Sequence, residues 1–290
     1  MQTSFESITI KNYQEMLEVF DLLVNLFNDS EVELITNNFE FDTFSYFFIK
    51  SHRSSVTEGN TTSDGEFTQL VIENVNDNED YVVPDKIHDE TYEIVNLKKV
   101  YEYLKKTNRY TRRELQRAHA IIGEKIFKNN LMMQRGKLKT KNNHVPFNHS
   151  GNMYIKVFSR VENVREELDS LFNYWNKLPD ETPAQVFAKF IILQIEIISI
   201  HPFNDGNGRV ARAFSESYFE SKGYIPYTPY SSYYKRYYQD AMGDFSILSR
   251  DSIMDGYFSF ASFILHSYAF NVNELLESLS KLENTIKGID

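Results

Sequence analysis

The chain has 290 residues, a formal net charge of −10 and no cysteine. An acidic balance excludes general nucleic-acid binding, which needs basic groups to displace phosphate counterions. The missing thiols exclude a disulfide framework and a cysteine nucleophile, and they fit a reducing, cytoplasmic setting. Hydrophobic residues at 41% suffice for a large core, while 11 glycines and 7 prolines are too few for a turn-rich all-β fold.

The first ten residues, MQTSFESITI, lack a basic stretch followed by an apolar one, so no signal peptide is expected. No run reaches the roughly 18 apolar residues of a membrane span. Residues 12–27 place Leu17, Phe20, Leu23, Val24 and Phe27 on one helical stripe. Residues 39–50 are aromatic-rich and fit a helix or a strand. A polar, glycine-punctuated stretch follows over 51–67. The acidic segment 73–85 reads as a surface loop and the best domain boundary.

Residues 94–106 return to a helical pattern. Thr111 stands three residues before Glu114, a capping-box spacing for a helix over 111–127. Over 138–158, two extended runs flank PFNHSG, a turn cluster with Pro146, Asn148 and Gly151, and predict a hairpin. Helical patterns resume over 161–178 and after Pro183. Leu275, Leu276, Leu279 and Leu282 predict one or two helices within 251–287. The fold class expected is mainly α with one hairpin.

The segment 184–200 is apolar nearly all round, too long for a strand and normal for a buried helix. His201-Pro202 stops it, because proline lacks a donor and disfavours helix at the preceding residue. Gly206, Asn207 and Gly208 tolerate turn conformations and let a ligand approach the backbone. From Arg209 the pattern is helical again. Exposed N–H groups at a helix N-terminus form an anion site. Arg209 and Arg212, three apart, share a face and strengthen it.

Asp205 would repel a bare phosphate, but it fits if Mg²⁺ lies between carboxylate and phosphate oxygens. His201 stands at the mouth, able to take a proton from an attacking hydroxyl. Taken singly, the histidine reads as a cap, the arginines as a solvated face and the glycines as a turn. Together, within 201–212, they point to phosphate chemistry. GNGRVA after QIEIISI also fits a dinucleotide-binding pattern, but Pro202 and its neighbours separate any strand from Gly206, and no strand–helix alternation surrounds it.

HPFNDGNGR, with Arg212 after it, closely resembles the signature of the Fic family, HPFx(D/E)GN(G/K)RxxR, at every defined position. The resemblance implies a helical bundle with a β-hairpin flap over the active site. It also implies transfer of AMP from ATP to a protein hydroxyl, with Mg²⁺ and release of pyrophosphate. His201 would then be the base, Asp205 the metal ligand, and Phe203 a packing residue beneath the loop. Gly206, Asn207, Gly208 and Arg209 would hold phosphates, and Arg212 the γ-phosphate.

The resemblance extends to residues 92–104, to the helix that follows at LQRAHAII (115–122), to Gly136-Lys137-Leu138-Lys139 leading into the flap, and to Tyr237 and Tyr238. Lys139 replaces the family's usual Arg, Gln194 a common His, and Tyr233 a usual Asn. Tyr233, Tyr237 and Tyr238 are the candidates for base or ribose contacts. Leu138, Tyr154, Ile155 and Lys156 belong to the flap, on which a target protein would dock by strand addition. No nucleic acid and no membrane are expected as partners, and a homodimer is allowed.

Ser54-Ser55-Val56-Thr57-Glu58-Gly59 fits (S/T)xxxE(G/N), the family's inhibitory motif. A Glu58 carboxylate could pair bidentately with Arg212, withdraw it from the γ-phosphate and turn the α-phosphate away from in-line attack. The resulting division is an N-terminal region 1–88 with the inhibitory motif, a Fic core 89–250 and a helical extension 251–290. An autoinhibited adenylyltransferase is the leading expectation. The alternatives are removal of AMP, with Glu58 positioning water; transfer of UMP, phosphate or phosphocholine; and non-enzymatic nucleotide binding.

Overall fold

The computed structural model of the chain describes residues 17–18, 21, 43–58, 63–74, 89–124, 134–224, 232–249 and 252–287. Among these residues there are nine helices and one two-stranded sheet. Two helices lie before residue 89: α1 is Thr43–Glu58 and α2 is Asp64–Asn74. Helices α3 (Asp89–Thr107) and α4 (Arg112–Ile122) precede the strands β1 (His144–His149) and β2 (Asn152–Val157). Then follow α5 (Val164–Trp175), α6 (Pro183–Ile200), α7 (Asn207–Ser221), α8 (Ser232–Leu248) and α9 (Ile253–Lys287).

The centre of the fold is α6 packed against α7. Helix α6 starts with a full capping box, Thr182 with Gln185, and has Pro183 in its first turn, where no amide is needed. By length and composition α6 could cross a membrane, but it is the core helix, with Ile191, Ile192, Leu193 and Ile195 all fully buried. Helix α3 packs on α1, α4 and α7; α9 packs on α1, α6 and α8. One apolar cluster runs from Tyr46 to Leu265, so helix α1 shares its core with the signature helices.

The mainly helical reading with one hairpin holds. The ambiguous 39–50 stretch resolves as the first half of α1 from Thr43 onward. QIEIISI lies within α6 and is not a strand, which removes the βαβ reading. Residues 253–287 form one helix, not two.

Residues 51–58, read as part of a polar stretch, form the second half of α1, and Ser51 to Ser55 are buried. Two expectations need correction. The capping box at α4 is half formed: Thr111 accepts from the Glu114 amide, but the Glu114 carboxylate accepts instead from the Tyr103 hydroxyl, and α4 ends at Ile122. The hairpin turn is Ser150-Gly151 alone, both with positive φ (50° and 79°), the backbone a tight two-residue turn requires. Pro146 and Asn148 lie inside β1, opposite Ile155 and Met153; a two-stranded ribbon leaves free edges that tolerate a missing donor.

The helical stripe at 12–27 lies outside the described residues, apart from Leu17, Glu18 and Asp21, which are helical. Residues 75–85 also lie outside them.

Candidate active site

The signature loop is a sharp corner between α6 and α7. His201 caps α6 in the left-handed region, φ 53° and ψ 61°, and its amide still closes onto the Ile197 carbonyl. Left-handed backbone is unusual for a non-glycine residue, so the surroundings must hold it. Gly206 repeats the left-handed turn at φ 74° and serves as N-cap of α7. There the lack of a Cβ is needed. The two corners bring His201 and the first turn of α7 to the same loop.

Side chains lock the loop from inside. Asn207 Oδ1 accepts from the Phe203 amide, and Asn207 Nδ2 donates to the Phe203 carbonyl, both at 2.9 Å. The Asn207 side chain is therefore spent on the loop, and only its backbone N–H faces outward from the helix start. Phe203 is fully buried and stacks on the His119 ring at 3.8 Å. This matches the packing role implied by the resemblance. His119 accepts from the Gly136 amide through Nδ1, so its Nε2–H donates to the Asp205 carbonyl at 2.9 Å. Burial pushes the His119 imidazole down to about 4, and it stays neutral.

Arg209 sits between two carboxylates. It pairs with Glu93 of α3, and its other nitrogen lies 3.4 Å from Asp205. The Asp205 carboxylate accepts from the Gly206 amide and remains nearly half exposed. Arg212 is almost fully buried and does not point the way Arg209 does. It donates to the Ser54 hydroxyl at 3.2 Å and to the Ser54 carbonyl at 3.1 Å. The Tyr238 ring lies 5.8 Å from its guanidinium carbon.

His201 is half-buried, and the Phe158 ring stacks on it at 3.7 Å. Phe158 directly follows β2, so the hairpin reaches the histidine. The inner face of the hairpin leans on α8. His149 pairs with Asp244 at 3.1 Å, and Lys156 donates to the Ser246 hydroxyl at 2.9 Å. Burial lowers the Lys156 ammonium to about 8. Leu138 packs partly buried on the core, and Tyr154 stacks on Phe147. The outer face carries Met153, Ile155 and Val157, exposed by 60% or more.

Residues 201, 203, 205–209 and the hairpin thus converge on one corner, with Arg212 one turn deeper, facing α1. Ser54 joins the site through Arg212. Glu58 closes α1, but its side chain, Gly59 and the Tyr233 side chain lie outside the described residues. Tyr237 is exposed on α8. Tyr238 is turned inward, where its hydroxyl accepts from Gln194. Glu93, His119, Lys139 and Asn143 were not singled out as site residues by sequence. Glu93, His119 and Lys139 lay in stretches that resemble family motifs.

Residues 109–219 match the model of the Fic/DOC family. No curated protein matches the chain. Among solved structures, residues 134–508 of Fic-1 from C. elegans superpose with a TM-score of 0.57 at 18% identity, over 96% of this chain and 73% of that one. A Fic domain containing signaling protein from Bacteroides thetaiotaomicron gives 0.58 at 20% identity, over 96% and 97%. Residues 109–219 are thus similar to the Fic/DOC domain, and the chain has the Fic fold, mainly helical with a hairpin flap.

Proposed function

We propose that the chain is an autoinhibited protein adenylyltransferase, moving AMP from ATP to a Ser, Thr or Tyr hydroxyl of a target protein. One observation carries the reading: a left-handed His201 beside the open first turn of α7, with Arg209 behind it. The N–H groups at 206–209 would receive phosphate oxygens. His201 would take the proton as the target oxygen attacks the α-phosphorus and the bond to pyrophosphate breaks. Its stacking on Phe158 restricts the imidazole plane, the kind of orientation in-line attack needs. The target segment would lie along the flap.

Asp205 fits Mg²⁺. Its carboxylate is nearly half exposed at the anion cradle, and magnesium is ordinarily held by one or two carboxylates plus substrate phosphates. Bound there, the ion would offset phosphate charge. Autoinhibition is supported by Arg212, which is engaged by Ser54 of α1 one turn before Glu58.

The test uses the full chain carrying Glu58→Gly, with Mg²⁺ and isotope-labelled ATP, read by intact mass. Addition of one AMP is expected. His201→Ala on that background should abolish addition while ATP affinity stays within about threefold, because the base does not hold the phosphates. Transfer at the parent rate without His201 would remove it as the base.

A further inference from the structure

The left-handed corner at His201 has to be held by something outside the signature itself, and the structure shows what holds it. Every carbonyl flanking His201 is taken by the segment that enters the flap. The Lys139 amide donates to Pro202 O at 2.8 Å. The Lys139 ammonium lies 3.4 Å from Ile200 O, the last carbonyl of α6, and 2.8 Å from Asn143 Oδ1. Asn143 Nδ2 then donates to Phe203 O at 3.3 Å.

Lys139 is nearly fully buried, with 3% exposure, so its charge is aimed inward at these acceptors. A cation at a helix C-terminus also meets the negative end of the helix dipole. On the far side of the hairpin, Phe158 stacks on the His201 ring. The two roots of the flap therefore hold His201 from two sides, one through the backbone of its neighbours and one through its side chain.

We propose that Lys139 and Asn143 are positioning residues for His201, a clamp that ties the entry of the flap to the backbone on both sides of the base. The clamp rests on the reading of His201 as the base. The ammonium makes two single-point contacts, to a carbonyl and to an amide oxygen, and neither needs the planar fork of an arginine. Lysine therefore serves where the family commonly has arginine. The flap becomes part of the catalytic corner: a target strand that shifts the flap root also shifts the imidazole.

The test has two arms. On the Glu58→Gly full chain, Lys139→Met and Asn143→Ala should each lower kcat for AMP transfer by about tenfold or more, since small misplacements of a reacting group are costly. The Kd for Mg-ATP should stay within about twofold, as neither residue touches the phosphate cradle. Lys139→Arg should restore most of the rate. In the second arm, NMR of histidine-labelled protein should show the His201 ring signals, assigned with His201→Ala, shifted in both variants. Unchanged kcat with unmoved His201 signals overturns the clamp. If no form transfers AMP yet the His201 signals move, the transferase reading fails and the clamp stands. If Lys139→Met does not fold, Asn143→Ala, on the partly exposed loop, decides by the same readouts.

Discussion

His119 lies beneath the signature loop with both ring nitrogens committed, one to the Gly136 amide and one to the Asp205 carbonyl. It braces the loop from below while Lys139 and Asn143 brace it from the flap side. His119→Leu would leave a partly buried amide and a partly buried carbonyl without this partner. Each such group costs about 1–3 kcal/mol, so a loss of about 2 kcal/mol or more is expected in urea unfolding. His119→Gln can keep one contact and should lose less. Equal stability of His119→Leu and the parent would mean that the brace contributes nothing.

At this scale the signature was legible because its residues are contiguous. The braces were not, because their partners are distant: Lys139 and Ile200 are 61 positions apart, His119 and Asp205 86, Arg209 and Glu93 116. No local period reports such a pairing. The shared face assigned to Arg209 and Arg212 illustrates the same limit. Spacing put them on one side of α7, but Glu93 draws Arg209 toward α3 while Ser54 draws Arg212 toward α1.

Between elements, the contact that matters most is α1 on α7. It is unusually polar for a core interface. Lys50 reaches Glu220 at 2.9 Å and Glu216 at 3.9 Å, Tyr101 donates to Glu216, and Tyr46 donates to Glu220. Polarity therefore does not mark the α1 surface as solvent-facing: Ser54 is buried against Arg212 of α7, and Ser51 donates to Phe47 O within its own helix. Burial raises the Glu216 carboxyl from 4.5 to about 7, against the opposing pull of Lys50. The native state thus holds a proton on Glu216 that the unfolded state releases.

The stability this gives is complete below pH 4.5 and is lost as pH rises through about 7, by about 3 kcal/mol at most. Glu216→Gln keeps the shape and an acceptor for Tyr101 but cannot ionise, and Lys50 retains Glu220. Calorimetry from pH 5 to pH 8 should show a smaller fall in Tm for the variant than for the parent. Parallel curves would mean that another group titrates.

Across the whole molecule, α1 packs on α3, α7, α8 and α9 and shares their core, so the helix that carries the proposed inhibitory motif is built into the fold and is not a loose appendage. Inhibition on the proposed reading therefore needs only a local change at the end of α1. Glu58→Gly removes a carboxylate at the last helical position, where a glycine costs little helix stability. Ser54 still holds Arg212 through two contacts, so the arginine should remain ordered but be open to a γ-phosphate. Labelled-ATP incubation should then show AMP incorporation rising by about 100-fold or more over the parent, the scale expected when reacting groups come into line. Adding Arg212→Ala should return incorporation to the parent level, since the freed arginine is what the nucleotide needs. A purely structural Glu58 predicts a different pattern: Tm falls and labelling stays flat. A de-modifying enzyme predicts a third: Glu58→Gly abolishes release of AMP from a pre-modified target, because the carboxylate positioned the attacking water. Running all three readouts on the same purified variants separates the readings, and only the first leaves the autoinhibited-transferase reading standing.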